Sequence, residues 1–213
     1  MLKFVFRSLL LLALAAPAFL HAASVHDPAA SRKLEKILSP LSSLHANFSQ
    51  TLTDGEGYEL QSVTGTMTVA RPGKVYWKTA PPFEQLVVSD ATTLWLYDQD
   101  LEQVTVRPFN EDIAETPAVL LIGRVENLEQ KYRVSNVLEG KDTVYTLVPL
   151  NDSALYQKIT LAFRGETPRA MSLWDTLGQR TRIEFTDVAV NKPIDDSLFA
   201  FVIPEGVDVL HDH

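Results

Sequence analysis

Val63-Thr64-Gly65-Thr66-Met67-Thr68-Val69-Ala70-Arg71-Pro72-Gly73 reads as a strand and its stop. Side chains of an extended strand point alternately to two faces, so Val63, Gly65, Met67 and Val69 share one face and Thr64, Thr66 and Thr68 the other. A dry face backed by a wet one is the pattern of an antiparallel sheet with one solvated side. Pro72 ends the strand because proline has no N–H for a ladder. Arg71 has the parity of Met67 and Val69, which sets a guanidinium at the rim of the dry face. Two readings stand for it. An edge arginine can run out to solvent, or its planar donors can take several backbone carbonyls, such as the unpaired last carbonyls of a short helix.

The period of two continues outward from this strand. Val75 and Trp77 oppose Lys74, Tyr76 and Lys78, while Ile159, Leu161 and Phe163 alternate with Lys158, Thr160 and Arg164. Ile183 and Phe185 alternate with Arg182 and Glu184, and Leu86–Val88 and Leu94–Tyr97 flank a hairpin loop, Ser89-Asp90-Ala91-Thr92-Thr93. Both faces of the Leu94–Tyr97 strand are apolar, and Trp95 is assigned to the dry side. The strands begin after Phe48 and number about ten or eleven, at the spacing of an all-β fold. A sheet of that size must curl or stack to cover its dry face. Met67, Val69, Val75, Trp77, Trp95, Ile159, Leu161, Phe163, Ile183 and Phe185 are expected to line the resulting apolar trough.

Two segments follow a helical rule instead. From Ser31 to Leu44, Leu34, Ile37, Leu38, Leu41 and Leu44 recur at helical spacing opposite Arg32, Lys33, Glu35 and Lys36. Pro40 should end or kink that helix near Ser39. Thr116-Pro117-Ala118-Val119-Leu120-Leu121-Ile122-Gly123 reads as a short helix with Thr as N-cap, Pro at the first position and Gly past the end. Val119, Leu120, Leu121 and Ile122 are apolar on every side, so this helix must lie against an apolar surface. An amphipathic helix beside a sheet is either plain core packing or a cover, and both readings remain open.

Composition bounds the rest. Lys3 and Arg7, the apolar run Leu9–Ala16 and small residues at Ala18, Ala22 and Ala23 make a secretory signal over residues 1–23, leaving one domain at 24–213. Losing the signal removes two of the 19 basic residues and none of the 27 acidic ones, so the remainder carries a net charge of −10. That charge disfavours nucleic acid and anionic headgroups as partners. There is no cysteine, hence neither a disulfide framework nor a thioether lipid anchor. The sequence holds no G-x-S-x-G elbow, no phosphate-binding P-loop and no H-E-x-x-H. Asp98, Asp100 and Glu102 form a small acidic cluster, read as a solvated loop in preference to an acid–base pair. His211-Asp212-His213 reads as a solvated terminus, and no metal or cofactor site is expected.

Further motifs carry a resemblance. Leu44-His45-Ala46-Asn47-Phe48-Ser49-Gln50 with Asp54-Gly55, then Gly65, Arg71-Pro72-Gly73 and Trp77, resemble the LolA family of periplasmic outer-membrane lipoprotein carriers. Glu84-Gln85-Leu86, Leu94-Trp95-Leu96-Tyr97-Asp98, Leu101-Glu102-Gln103-Val104-Thr105, Thr116-Pro117-Ala118, Gly178-Gln179-Arg180-Thr181 and Pro204-Glu205-Gly206-Val207 continue the likeness in order along nearly all of the chain after the signal. The resemblance implies an incomplete antiparallel β-barrel with an α-helical lid over an apolar cavity. It implies a soluble monomeric carrier, not an enzyme, that takes acylated lipoproteins from an inner-membrane ABC transporter to an outer-membrane receptor. Arg71 would then latch the lid by bonding its carbonyls, with Leu34 to Leu41 in the first lid helix and Thr116 to Gly123 in another. Ala91 stands where family members often have glycine, and Val75 where many have an aromatic residue. Two other classes compete: a periplasmic sensor of similar shape that binds lipoproteins without ferrying them, and a secreted hydrolase.

Overall fold

The computed structural model describes residues 27–109, 121, 127–151 and 154–212. The expected signal segment and three of the four apolar residues of the expected second helix, Val119, Leu120 and Ile122, lie outside them.

The chain opens with helix α1 (Pro28–Leu38). Six strands follow: β1 (Ser43–Thr53), β2 (Glu59–Ala70), β3 (Lys74–Thr79), β4 (Gln85–Asp90), β5 (Thr93–Asp98) and β6 (Gln103–Pro108). A one-turn helix, α2 (Leu128–Lys131), leads into β7 (Tyr132–Glu139), β8 (Asp142–Pro149), β9 (Tyr156–Arg164), β10 (Thr167–Asp175) and β11 (Arg180–Val190). A 3₁₀ turn (Asp196–Phe199) precedes β12 (Asp208–His211). All twelve strands join one sheet in the order β12-β6-β5-β4-β3-β2-β1-β11-β10-β9-β8-β7. Neighbours are antiparallel except β12, which runs parallel to β6. The terminal strands β7 and β12 do not pair with each other, so the sheet curls without closing. It is the incomplete barrel expected, with twelve strands where about eleven were counted.

Register fixes which residues share a face. Phe48 stands opposite Gly65 on one side and Phe185 on the other, and Met67 opposite Trp77. Leu161 pairs with Met171 and Met171 with Ile183. These residues belong to one buried cluster together with Val69, Val75, Ile159 and Phe163, so the dry parity read from the sequence is the concave face. Gly65 has a specific reason to be glycine. A Cβ there would collide with the Lys78 carbonyl oxygen and lie 2.6 Å from Cζ of Phe48. Its absence lets the Phe48 ring lie across the strand against Trp77, with centroids 4.0 Å apart.

Three expectations are corrected. First, the helix starts earlier and stops sooner. Asp27 caps it by accepting from the Ala29 N–H at 2.8 Å, Pro28 takes the first turn, and it ends at Leu38, just before the proline. Leu41 lies beyond it, and Leu44 is already in β1, which begins before Phe48; buried Leu44, Ala46 and Phe48 alternate with less buried neighbours at strand period. Second, the C-terminal tail is not free: Asp208 to His211 pair with Gln103 to Val106. Third, Trp95 is not on the concave face. It pairs with Val88 and Val106 and packs 6.0 Å from the Phe201 ring, while Leu94 and Leu96 take the concave parity through Ser89 and Val87. That strand is apolar on both sides because the Asp196–Phe201 segment covers its convex face, with Phe199 buried.

Candidate functional site

The concave face is floored by β1–β4 and β8–β11 and roofed in part by α1. Leu34, Leu38 and Leu41 are buried in the same cluster as Met67, Val69, Val75 and Trp77, and Ile37 packs against it half-buried. Leu121, helical and buried, joins that cluster as well. The roof is tied along its length. The Asp27 N–H donates to the Val134 carbonyl at 3.0 Å, and the Leu128 N–H donates to Oε1 of Glu35 at 2.8 Å, which sets α2 against α1.

Arg71 holds the far end. Its Nη2 donates to the Leu38 carbonyl at 2.9 Å and its Nη1 to the Ser39 carbonyl at 3.3 Å. These are among the last carbonyls of α1, which have no partner inside the helix, and a cation there also suits the negative end of the helix dipole. The Arg71 N–H donates to Ser42 O at 2.9 Å, so backbone and side chain both tie the end of β2 to the chain leaving α1. Burial pulls the guanidinium pKa below its ordinary value, yet arginine stays cationic. Of the two readings left open by the sequence, the bond to helix carbonyls is the one the structure adopts.

The opposite end of the sheet looks different. Turns β1–β2, β3–β4, β5–β6, β8–β9 and β10–β11 all fall there, as the ladders require. A pocket of about 280 Å³ opens on the concave side at this end, with Trp77, Val87, Leu96 and Phe83 as apolar walls and Gln50 and Gln85 among its polar ones. Around it the turns carry exposed apolar side chains: Tyr58, Phe83, Leu101, Leu155 and Leu177, the last 81% exposed. Sequence reading missed this rim, since each residue is isolated in its own loop and only the fold gathers them.

The remaining candidates behave as ordinary structure. Asp98 Oδ1 accepts from the Leu101 N–H at 3.1 Å and stabilises the β5–β6 turn. Among the described residues no group of three metal-binding side chains comes together.

An unclosed sheet, antiparallel but for β12, with a helix packed over its apolar concave face and bonded to the end of β2, defines a half-barrel. The model of the family "Outer membrane lipoprotein carrier protein LolA" matches residues 39–202. An outer-membrane lipoprotein carrier protein of Chromohalobacter salexigens is 40% identical over 182 residues, 85% of this chain and 87% of its own. One from Hahella chejuensis is 39% identical over 205 residues, 95% of this chain and 98% of its own. An uncharacterized conserved protein from Thermus thermophilus shares the fold at a TM-score of 0.51 with 12% identity, covering 85% of this chain and 96% of that one. The chain belongs to the LolA family of outer-membrane lipoprotein carrier proteins.

Proposed function

We propose that this chain is a periplasmic carrier that takes acylated lipoproteins from an inner-membrane ABC transporter and hands them to an outer-membrane lipoprotein receptor. In this reading it works as a single domain and a monomer, without catalysing a reaction. The carrying observation is the pair of bonds from Arg71 to the last carbonyls of α1 across an apolar concave face. Membership of the carrier family supports the cargo.

The physical problem is one of balance. An acyl chain of about fifteen methylenes costs on the order of 12 kcal/mol to expose to water. A trough that gripped several such chains without opposition would not release them. A latched roof supplies the opposition: cargo must displace α1 and the chain that leaves it as far as Leu41, so apparent affinity falls by the population of the open form. Met67, Val69, Val75, Trp77, Ile159, Leu161, Phe163, Ile183 and Phe185 would meet the acyl chains once the roof lifts. The rim of Phe83, Leu101 and Leu177 would let cargo pass from one apolar surface to another by contact.

Arg71→Leu tests the reading. Hydrogen bonds from a charged donor are worth about 1.5 kcal/mol each in net terms, so removing both bonds of the latch should raise affinity for an acyl probe by up to about a hundredfold. The variant should fold, load from spheroplasts or inner-membrane vesicles as soluble lipoprotein–carrier complexes, and deliver to outer-membrane acceptors more slowly than the parent. Normal delivery by the variant would sink the latch. A native chain that holds cargo but never passes it on is the sensor, and altered product marks a hydrolase.

A further inference from the structure

The convex face of β8–β11 carries a second concavity, a groove of about 460 Å³. It exists because its floor is small: Ala162 pairs with Ala170 and Thr160 with Ser172 across β9 and β10. Its walls are long and cationic, with Arg164, Arg169, Arg180 and Arg182 all lining it. Two of the four are satisfied internally. Arg164 grips Asp142 through two bonds of 2.7 and 3.1 Å, and Arg182 reaches Glu184 at 2.6 Å.

The other two are not paired with acids. Arg180 lies over the Trp174 ring at 4.9 Å and donates from Nη2 to the Ser172 hydroxyl at 3.2 Å, while its Nε is buried without an acceptor. Lys158 stands over the same ring at 3.7 Å, which puts two cations on one indole. Burial, then the neighbouring Arg182, pull the Arg180 pKa below its ordinary value and outweigh the opposing pull of Glu184, which is itself bonded to Arg182. Arg169 sits at the bulge between Pro168 and Ala170 and forms no salt bridge among the described residues, its nearby Asp142 being held by Arg164. A partly buried guanidinium with an unsatisfied Nε–H, crowded by like charge, raises the free energy of the unbound protein. An incoming carboxylate offsets the like charge and can take the remaining Nη donors, whose planar array suits a bidentate mode. That such a site exists in a chain with 27 acidic residues against 19 basic ones sets it apart from the rest of the surface.

We propose that this groove docks a carboxylate-rich polypeptide segment of a partner protein, with Arg169 and Arg180 as anchors and Trp174 as an apolar platform. A flat anionic membrane fits less well, because the arginines line a recess edged by Glu139, Asp142 and Glu184, carboxylates that a charged plane would meet as well. The groove lies on the face opposite the trough, so docking leaves the acyl site free and a loaded carrier can be recognised as well as an empty one. The inference does not depend on what the trough carries.

The test is fluorescence anisotropy of a fluorescein-labelled, end-capped hexaglutamate peptide titrated with the full chain after signal removal. Saturable binding is expected, weakening as salt is raised. It should fall about tenfold in Arg169→Gln/Arg180→Gln, the loss expected when charge-assisted bonds are removed. Arg32→Gln/Lys33→Gln, which removes the same charge from the exposed side of α1, should change it by less than about twofold, being a screened surface effect. Absence of binding, equal loss in both double variants, or equal binding of end-capped hexalysine would overturn the proposal. The hexalysine comparison needs no variant and so stands even if the groove substitutions disturb folding. Capture by phosphatidylglycerol vesicles that depends on Arg169 and Arg180, without peptide binding, would overturn it in favour of a headgroup site.

Discussion

The two ends of the trough are built from opposite chemistry. At the closed end, where β2 turns into β3, α1 is held by directional bonds from one guanidinium to Leu38 and Ser39 carbonyls. At the open end, exposed apolar side chains from separate turns surround a mouth whose walls include Trp77 and Phe83. A few hydrogen bonds can be broken and remade without changing what the core buries. Apolar residues left in water are, in contrast, a standing cost that is relieved only when another apolar surface arrives. Under the proposed function, the first end would be the one that opens and the second the one where cargo is exchanged.

Both ends rest on a shared floor, and breaking that floor should have the largest effect. Gly65→Ala places a methyl against the Lys78 carbonyl and the Phe48 ring, so the Phe48–Trp77 stack must move or the β2–β3 pairing must loosen. Overpacking of this severity is expected to cost about 3 kcal/mol, read from denaturant midpoints at constant slope. A cost under about 0.5 kcal/mol, the scale of ordinary surface changes, would show that the floor yields easily and that the two ends are not mechanically joined.

A smaller effect lies in the turns at the closed end. Ala91 has φ 82°, in the left-handed region that favours glycine, and the loop is held by Asp90, whose Oδ1 accepts from the Thr92 and Thr93 N–H groups at 2.8 Å each. Relieving the Cβ strain is worth about 1–2 kcal/mol, offset by about 0.5–1 kcal/mol of added chain entropy in the unfolded state. Ala91→Gly should therefore raise stability by about 0.5 kcal/mol, seen as a small upward shift in Tm. The same carboxylate gives this end an acid limit. Burial pushes the Asp90 pKa up, but the bonds from Thr92 and Thr93 outweigh it and leave it below the usual carboxylate range. A depressed folded-state pKa means the stabilisation is present above the unfolded value and disappears as pH falls through the folded one. Asp90→Asn should remove that part of the acid-side dependence, and an unchanged pH–stability curve would count against it.

How much of this the sequence carried follows from the range of the interactions. Parity alone placed Met67, Val69, Val75 and Trp77 on the concave face, because alternation is local and one face is wet. Arg71 was legible as a rim residue for the same reason, although its acceptors lie more than thirty positions away. Trp95 failed because a distant segment, Asp196 to Phe201, dries the convex side of its strand and erases the alternation. Strand β12 failed because its four residues are exposed and pair parallel with β6, leaving no periodic trace. Leu41 and Leu44 fitted a helical spacing by coincidence, and Pro40 was the better guide. Of the arginines of the convex groove, Arg164 and Arg182 read only as the wet side of two strands and Arg169 and Arg180 carried no such signal, since what separates them from a solvated face is the small floor that four strands make together.

The smallest expected change in stability bears most directly on the contrast between the ends. Phe83 is about half exposed in the β3–β4 turn while also lining the mouth, and the Thr79 hydroxyl donates to its carbonyl, so the backbone there is set independently of the ring. Phe83→Ser should leave unfolding free energy within about 0.5 kcal/mol of the parent, as for most surface substitutions. Delivery of cargo to outer-membrane acceptors should nevertheless slow, because the rim loses part of the apolar surface that bridges donor and acceptor, whereas equilibrium affinity for an acyl probe should move little. Arg71→Leu also slows delivery but differs in affinity, which rises as the closed form is depopulated. If both variants shift affinity and transfer in the same proportion, opening and exchange are one process at one place, and the division of labour between the latched end and the open one fails.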